Sequence, residues 1–288
     1  MTTHTVAHAS GTLTIGGDLP VHRLGFGTMR LTGNGIWGPP DDRAEAIRVL
    51  RRAVELGIDF FDAANSYGPY VAEELIREAL HPYRDGVVIA TKAGLLRTGE
   101  NQWTPLGFPA YLRQEVEMSL RRLGTDRIDL FQLHRIDSKF PAEDQVGELA
   151  ALQQEGKIRH IGLSEITVEQ LTAAQKVASI ASVQNRYNMA ERAADPLLEA
   201  CESQGVAFIP WAPLGSGPLV ADGGPLQRIA SEHRIKPSQL AVAWLLKRSP
   251  VMVPIPGTSR VTHLDENVSA AEVTLTDEEF AALSATDR

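Results

Sequence analysis

Short runs of apolar, β-prone residues recur along the chain, separated by longer segments of mixed polarity. Eight of them stand out: HRLGFGTM, IDFFDA, GVVIATK, IDLFQLH, IRHIGLS, SVQNRY, VAFIPWAP and VMVPIPG. Runs that are nearly continuously apolar are typical of strands covered on both faces, as in parallel sheets. The pattern therefore predicts parallel strands that end near Met29, Ala63, Lys92, His134, Ser164, Tyr187, Pro213 and Gly257.

Segments with apolar residues at helical spacing lie between these runs. Two of them stop at Gly57 and Gly124, where a glycine is suited to end a helix. Gly156 follows EDQVGELAALQQE in the same way, and Pro237 opens PSQLAVAWLLKRS, as proline often opens a helix. Strand and helix thus alternate throughout, and eight such units favour a closed barrel over an open doubly wound sheet.

We therefore predict an α/β fold, a (β/α)8 TIM barrel that forms a single domain over residues 1–288, with residues 1–10 as a flexible tail. The dinucleotide-binding fingerprint of the open-sheet alternative is poorly matched, because GFGTMR puts Arg30 where the third glycine belongs. The early segment GTLTIGGDLPVHRL predicts a β-hairpin that turns at Gly16 and Gly17 and closes the barrel floor.

Composition and charge narrow the function classes. The net charge of -8 argues against nucleic acid or an anionic membrane as the main partner. A single cysteine, Cys201, cannot form an internal disulfide, and the chain has no apolar run of membrane-spanning length and no secretory signal pattern. We expect a cytoplasmic protein, and its oligomeric state is left open.

Polar side chains stand where several predicted strands end. Asp62, Lys92 and His134 end the second, third and fourth strands, and Tyr67 follows in the loop after the second. In a (β/α)8 barrel these positions share one mouth, where active sites are built. Taken singly, Asp62 could cap a helix and Tyr67 could be a packing residue. Together they predict an active site.

Within this set, Lys92 requires a carboxylate partner, and His134 has no second potential metal ligand at suitable spacing. A lysine in the barrel mouth loses hydration, which is costly unless a carboxylate compensates, and Asp62 is available for that purpose. No second histidine or cysteine lies at ligand spacing from His134, so we predict no metal site.

The same segments resemble the aldo-keto reductase family over nearly the whole chain. The matching motifs are LGFGTMRL, FFDAANSYG, ATKAG, LFQLH, GKIRHIGLS, VQNRYN, PWAPLGSG and PIPGTSRVTHLDENV. The resemblance implies an NADP(H)-dependent oxidoreductase that reduces aldehyde or ketone carbonyls of small molecules to alcohols. By the same resemblance, Tyr67 is the general acid, Lys92 and Asp62 tune it, and His134 orients the substrate carbonyl.

These residue types suit carbonyl reduction, which needs a hydride at carbon and a proton at oxygen. A phenol has an ordinary pKa of about 10, so it holds a proton but gives it up reluctantly at neutral pH. An ammonium group at Lys92 is expected to lower the phenol pKa, while Asp62 keeps the lysine charged. Donors at Tyr67 and His134 would then stabilise the developing oxyanion.

The resemblance also implies a cofactor site. Trp211 would stack on the nicotinamide, Ser164 and Gln184 would bind its carboxamide, and Arg260 would bind the 2'-phosphate of NADP near a helix start. The full implied set is Gly27, Thr28, Met29, Asp62, Ser164, Gln184, Trp211, Pro213, Leu214, Gly215, Ser216, Gly257, Thr258, Ser259, Arg260, His263, Glu266 and Asn267.

Two residues depart from the family pattern. Glu165 stands where many members have asparagine, and its carboxylate cannot donate to the carboxamide oxygen. His263 stands where a second basic residue is usual in the phosphate-binding helix, and a histidine is only partly charged near neutral pH. NAD(H) is therefore kept as a weaker alternative cofactor.

Two other functions remain open at this point. Lys92 could form a Schiff base in an aldolase-like lyase, although Asp62 beside it would oppose the required loss of charge. Alternatively, the chain could be a nonenzymatic nicotinamide-binding subunit that senses redox state. The segment GLLRTGENQWTPLGFPAY is expected to line the pocket, and the short end LTDEEFAALSATDR predicts an open pocket. The substrate itself is not specified.

Overall fold

A curved sheet of parallel strands forms the centre of the protein. The computed structural model describes residues 5–213 and 224–285. Over these ranges the strands are β1 (Thr12–Ile15), β2 (Leu19–His22), β3 (Phe26–Gly27), β4 (Phe60–Asp62), β5 (Val88–Ala93), β6 (Leu95–Gly99), β7 (Gln102–Pro105), β8 (Ile128–Leu133), β9 (Ile158–Ser164), β10 (Ile180–Gln184) and β11 (Ala207–Phe208). The sheet runs β3, β4, β5, β8, β9, β10, β11, with every pair parallel.

The last predicted strand, VMVPIPG, closes this sheet into a barrel without forming a regular strand. Val253 N–H donates to the Phe208 carbonyl at 2.8 Å, and Gly25 N–H donates to the Pro254 carbonyl at 3.0 Å. The segment thereby joins β11 to the residues just before β3. Pro254 and Pro256 have no N–H to donate, which explains why the ladder here is irregular. The predicted (β/α)8 barrel is confirmed.

Two glycines allow the first and last barrel segments to meet closely. A Cβ atom on Gly27 would lie 2.7 Å from the carbonyl oxygen of Ile255, and one on Gly257 would lie 2.4 Å from the carbonyl oxygen of Gly27. Any side chain at either position would collide with backbone, so glycine is required there. This contact, the seam, lies at the carboxyl end of β3.

Helices alternate with the strands, as the spacing predicts. They are α1 (Arg43–Glu55), α2 (Val71–Leu80), α3 (Pro109–Leu123), α4 (Ala142–Gln154), α5 (Val168–Ala174), α6 (Asp195–Gln204), α7 (Pro225–His233), α8 (Pro237–Arg248), α9 (Val261–Ser269) and α10 (Asp277–Ser284). Gly124 ends α3 in the left-handed conformation, with φ of 72°, and Pro237 is the first residue of α8. Among the described residues, no helix is long and apolar enough to cross a membrane.

The hairpin formed by β1 and β2 closes the floor of the barrel, as predicted. Its strands pair from Thr12–His22 to Ile15–Leu19 and turn at Gly16 and Gly17. The buried side chains of this hairpin pack against side chains from the barrel strands and from the closing segment. The barrel members of this cluster are Phe60, Val88, Ala90, Leu130, Ala181, Ala207, Ile209, Val253 and Ile255.

The expected flexible tail over residues 1–10 is wrong for its described part. Val6–Ser10 form a 3-10 helix. Ala7 is fully buried and its N–H donates to the Leu56 carbonyl at 3.0 Å, just after α1. The small side chain of Ala7 and this backbone bond fix the segment, which composition alone did not indicate.

A second hairpin, β6 with β7, is formed by the segment that was expected to line the pocket. Arg97 holds it in place, with its guanidinium carbon 3.7 Å from the centre of the Trp103 ring. The same guanidinium donates to the carbonyls of Gly35, Ile36 and Ser66 at 2.8, 2.7 and 2.9 Å. The hairpin is thereby tied to the loops after β3 and β4, beside the barrel mouth.

Candidate active site

The structure brings the four predicted catalytic side chains together. Asp62 is the last residue of β4, Lys92 lies one residue before the end of β5, and His134 follows β8 directly. Tyr67 reaches the same place from the loop after β4. All four are buried, with Lys92 fully so. Parallel neighbouring strands end on one side of a barrel, which explains how residues distant in sequence converge.

Lys92 is the centre of this group. Its Nζ donates to Asp62 Oδ2 at 2.6 Å, to the Ala63 carbonyl at 2.8 Å and to the Tyr67 hydroxyl at 3.4 Å. Burial alone would lower the pKa of Lys92, but the interactions with Asp62 and Tyr67 outweigh it, so the pKa is raised above its ordinary value. Lys92 is therefore a charged ammonium at neutral pH.

The other oxygen of Asp62 is held by two amides. Asp62 Oδ1 accepts from Gln132 Nε2 at 3.1 Å and from Gln184 Nε2 at 2.9 Å. Both glutamines are buried. Gln184 is also predicted to bind the nicotinamide carboxamide, and its amide nitrogen is directed to Asp62. Gln132 was missed, although a polar residue inside the apolar run LFQLH was a signal for it.

His134 lies edge-on to Tyr67, with ring centres 5.9 Å apart. Its Nδ1 is 3.3 Å from the Ser66 hydroxyl, and its Nε2 makes no hydrogen bond with any residue that the structure describes. Burial, followed by the charges of Lys92 and Arg135, lowers the pKa of His134 well below 6.5. The imidazole is therefore neutral at neutral pH and can offer Nε2 to a ligand.

The pKa of Tyr67 differs from the expectation. Burial raises the pKa of the phenol, and the Lys92 ammonium lowers it by less, so the net direction is upward. The sequence indicated the lysine but not the extent to which the phenol loses contact with water. In this environment Tyr67 keeps its proton at neutral pH.

The loop that carries Tyr67 is fixed from behind by a buried charge network. Asn65 donates from its backbone N–H to the Lys92 carbonyl at 3.0 Å and from its side chain to Glu115 Oε2 at 2.9 Å. Arg122 lies between two carboxylates, with Nε 2.5 Å from Glu73 Oε2 and Nη2 3.5 Å from Glu115 Oε2. Helices α2 and α3 thus support the loop, which sequence reasoning did not foresee.

Trp211 is anchored by Glu165, one of the two residues that depart from the family pattern. Its indole Nε1 donates to Glu165 Oε1 at 2.5 Å, and the same oxygen accepts the backbone N–H of Arg186 at 2.7 Å. Glu165 has a φ of 55°, which is uncommon for a residue with a side chain. Its carboxylate connects the ends of three successive barrel segments at the position implied for the nicotinamide.

Arg135 also reaches the mouth and was not predicted. It follows His134 directly, and its Nη1 donates to the His134 carbonyl at 2.5 Å and to Ser164 Oγ at 3.1 Å. Ser164 is buried at the end of β9, where the resemblance places a contact to the nicotinamide carboxamide. The motif considered in the sequence, LFQLH, ends at His134, so the next residue, Arg135, was left out.

The segment implied to bind the 2'-phosphate precedes α9, as expected. Ser259, Arg260 and His263 are exposed there, and Thr258 is buried, accepting the Arg260 N–H at 3.2 Å. The first amide of α9, at Val261, donates to Glu45 Oε1 at 3.0 Å. This bond is the main reason that the pKa of Glu45 is lowered. The carboxylate of Glu45 therefore uses the first amide of this helix, which the sequence pattern did not indicate.

The remaining implied cofactor residues divide between three places. Gly27 and Gly257 meet at the seam, so the segments around them are neighbours, and Met29 is half-buried in the 3-10 helix after β3. Thr28 donates to the Asp62 carbonyl at 2.9 Å. On α9, Glu266 pairs with Lys236 and Asn267 is buried. Pro213 precedes the gap in the described residues, and Leu214, Gly215 and Ser216 lie outside them.

No metal site is evident in this region. In residues 5–213 and 224–285 there is no group of three or more histidine, cysteine, aspartate or glutamate side chains that could hold a metal ion.

Comparison with known proteins places this site in a family. The pattern described as the Aldo/keto reductase family matches residues 23–288. The chain belongs to the aldo/keto reductase family. An uncharacterized oxidoreductase of Schizosaccharomyces pombe is 53% identical, covering 96% of this chain and 90% of the relative. Pyridoxine 4-dehydrogenase of Escherichia coli is 42% identical, covering 97% and 99%.

Solved structures of aldo/keto reductases have the same fold. A glycerol dehydrogenase from Gluconobacter oxydans has a TM-score of 0.85 and 29% identity, covering 96% of this chain and 94% of that one. An aldo-keto reductase from Klebsiella pneumoniae, solved in complex with NADPH, has a TM-score of 0.80 and 29% identity, covering 94% and 93%. The family and the barrel predicted from the sequence are both confirmed.

Proposed function

We propose that this protein is an NADP(H)-dependent oxidoreductase that reduces the carbonyl group of small aldehydes or ketones to an alcohol. The observation that carries the proposal is the buried contact of Lys92 with both Asp62 and Tyr67 at the carboxyl ends of the barrel strands. This arrangement holds a protonated phenol beside a permanent positive charge, which is what proton donation to a carbonyl oxygen requires.

Each side chain has a role in this scheme. The reduced nicotinamide supplies the hydride to the carbonyl carbon. Tyr67 gives the hydroxyl proton to the carbonyl oxygen, and the phenolate left behind is stabilised by Lys92 Nζ at 3.4 Å. Asp62 keeps Lys92 charged and directed. His134, neutral and bonded to Ser66 through Nδ1, presents Nε2 to the same oxygen. In the reverse direction Tyr67 accepts the proton.

The residues present suit a nicotinamide cofactor with a 2'-phosphate, although one feature opposes it. Trp211 is held firmly enough to support a stacked ring, and Arg260 is an exposed guanidinium at the start of α9 without an ion pair among the described residues. The carboxylate of Glu45 at the same helix start opposes a phosphate there. Arg260 is the residue that would favour NADPH over NADH.

The Schiff-base alternative has little support in this geometry. A nucleophilic lysine needs a neutral amine, and such lysines have a lowered pKa. The pKa of Lys92 is raised, and its ammonium already donates to three oxygens, those of Asp62, Ala63 and Tyr67. The remaining alternative is a nonenzymatic nicotinamide-binding subunit. Turnover of a carbonyl substrate would exclude this alternative.

The test is a panel of aldehydes, ketones and α-dicarbonyls assayed by the loss of NADPH absorbance. Pyridoxal belongs in the panel because one relative is named pyridoxine 4-dehydrogenase. Activity that disappears in Tyr67→Phe would support the proposal. A protein that binds NADPH but reduces no member of the panel would favour the nonenzymatic alternative.

A further inference from the structure

Arg135 is a half-buried cation in the barrel mouth whose hydrogen bonds are incomplete. Its Nη1 donates hydrogen bonds to the His134 carbonyl and to Ser164 Oγ. Its Nε and Nη2 make no hydrogen bond with the part of the chain that the structure describes. These atoms are not among the buried unpartnered atoms of the described residues, so their three N–H groups are accessible and available to a ligand that enters the barrel mouth.

The charge of Arg135 is compensated only at a distance. It forms no ion pair with the described residues, whereas the half-buried Arg122 pairs with Glu73 and Arg248 pairs with Asp195. Burial lowers the pKa of Arg135, and the nearby Glu165 opposes this shift. The carboxylate of Glu165 is bonded elsewhere, to Trp211 and to the Arg186 N–H. A partly desolvated cation in this state gains from an added anion.

The position of this cation relates it to the substrate. Arg135 follows His134 directly, and its guanidinium donates to Ser164 Oγ at the carboxyl end of β9, so it lies at the barrel mouth near the groups proposed to bind the carbonyl oxygen. Its charge lowers the pKa values of both Tyr67 and His134, in agreement with this position. A guanidinium group offers parallel N–H donors that match the two oxygens of a carboxylate or a phosphate.

We propose that Arg135 binds an oxyanion group of the substrate, a carboxylate or a phosphate, and so selects carbonyl compounds that carry such a negative charge. The inference rests on the proposed function and names the substrate class of that same site. The donors left free at Nε and Nη2 are the ones that bind the oxyanion, while Nη1 keeps the guanidinium in place.

A matched pair of aldehydes tests this directly. 4-Carboxybenzaldehyde and methyl 4-formylbenzoate share the ring and the aldehyde and differ in charge. Wild-type protein is expected to show the higher kcat/KM for the acid. Arg135→Gln should lower the ratio of acid to ester by about tenfold or more, as expected for losing a hydrogen bond to a charged group. Arg135→Lys should retain part of the ratio.

Two further arms complete the experiment. The ratio of kcat/KM for pyridoxal 5'-phosphate to that for pyridoxal, set beside the ratio of acid to ester, shows which of the two oxyanion groups Arg135 prefers. Arg127→Gln is the matched control, since Arg127 is an exposed arginine at the opposite end of β8, and its ratio should equal that of wild type. The dissociation constant for NADPH, measured by tryptophan fluorescence, should be unchanged in Arg135→Gln.

Three results would overturn the inference: equal kcat/KM in wild type for the charged and uncharged members of both substrate pairs, an equal loss for the charged and uncharged members in Arg135→Gln, or weaker NADPH binding in that variant with unchanged ratios. The last result would assign Arg135 to the cofactor. Calorimetric binding of both aldehydes in the presence of NADP+ separates this inference from the proposed function. Arg135-dependent binding of the acid without turnover would retain the anion site and reject the reductase.

Discussion

Lys92 Nζ and Asp62 Oδ2 are 2.6 Å apart, and both side chains are excluded from water. Removing two charges from water costs several kcal/mol for each ion, and their attraction offsets this only when the remaining hydrogen bonds are also made. Here they are made, by Ala63 and Tyr67 on the lysine and by Gln132 and Gln184 on the aspartate. Each partner therefore depends on the other.

Lys92→Met should affect both activity and stability. The rate is expected to fall steeply because the Tyr67 phenolate loses its neighbouring charge. The free energy of unfolding should drop by about 3 to 5 kcal/mol, because Asp62 is left as an unpaired buried charge. Denaturant unfolding and the rate per folded molecule measure the two effects. The double variant Lys92→Met/Asp62→Asn should recover stability but not rate; an unchanged rate per folded molecule in Lys92→Met would leave Lys92 a structural role only.

Tyr67→Phe should abolish most of the reduction and leave NADPH binding intact. The ring keeps its contact with His134, while the proton donor is removed, and a positioned general acid accounts for about 100- to 10,000-fold in rate. Steady-state kinetics and a fluorescence titration measure the two quantities. A kcat near that of wild type would remove Tyr67 from the mechanism, whatever its burial.

Arg260→Ala should weaken the binding of NADPH by about tenfold or more and leave the binding of NADH nearly unchanged, since only NADPH has the 2'-phosphate. Glu45→Gln should act in the opposite direction, because it removes the negative charge from the start of α9. Titration of both cofactors into both variants tests this, with Arg127→Ala as an exposed arginine control. Equal losses of affinity for NADPH and NADH in Arg260→Ala would indicate that Arg260 has only a structural role.

Glu165→Ala should disturb the position of Trp211, because the indole N–H loses its acceptor. Leaving a buried donor unpaired costs about 1 to 3 kcal/mol in free energy of unfolding. Glu165→Gln retains an acceptor oxygen and should be closer to wild type in both stability and tryptophan emission. If Glu165→Ala and Glu165→Gln behave alike, the hydrogen bond to Trp211 has no role in fixing the ring.

The free energy of unfolding should decrease at acid pH, and part of this decrease should depend on His134. Its pKa is lowered in the folded protein, so below about pH 6.5 the unfolded chain takes up a proton that the folded chain does not. This difference favours unfolding progressively as the pH falls below that value. The stability of wild type relative to His134→Asn should therefore decrease between pH 7.5 and pH 5. A constant difference would mean that the imidazole is accessible to protons in the fold.

The sequence predicts this site as far as barrel geometry determines it. Asp62, Lys92 and His134 could be placed together because each ends a strand, and all parallel strands end on the same side of the barrel. Glu45 could not be placed, because its contact with the Val261 N–H depends on how two helices distant in sequence meet. Arg135 directly follows a strand end and so was within reach of barrel geometry, but the motif considered in the sequence stopped at His134. The direction of the Tyr67 pKa was missed for a related reason, since it depends on a balance between burial and a charge.

The contact between Gly27 and Gly257 also bears on how the protein is made. These residues come from the first and last barrel segments, so the region implied for the cofactor is completed only by the final part of the chain. A polypeptide still emerging from the ribosome, with Gly257 not yet synthesised, lacks seven of the eighteen residues implied for the cofactor. The proposed cofactor site can therefore form only after nearly the whole chain has been translated.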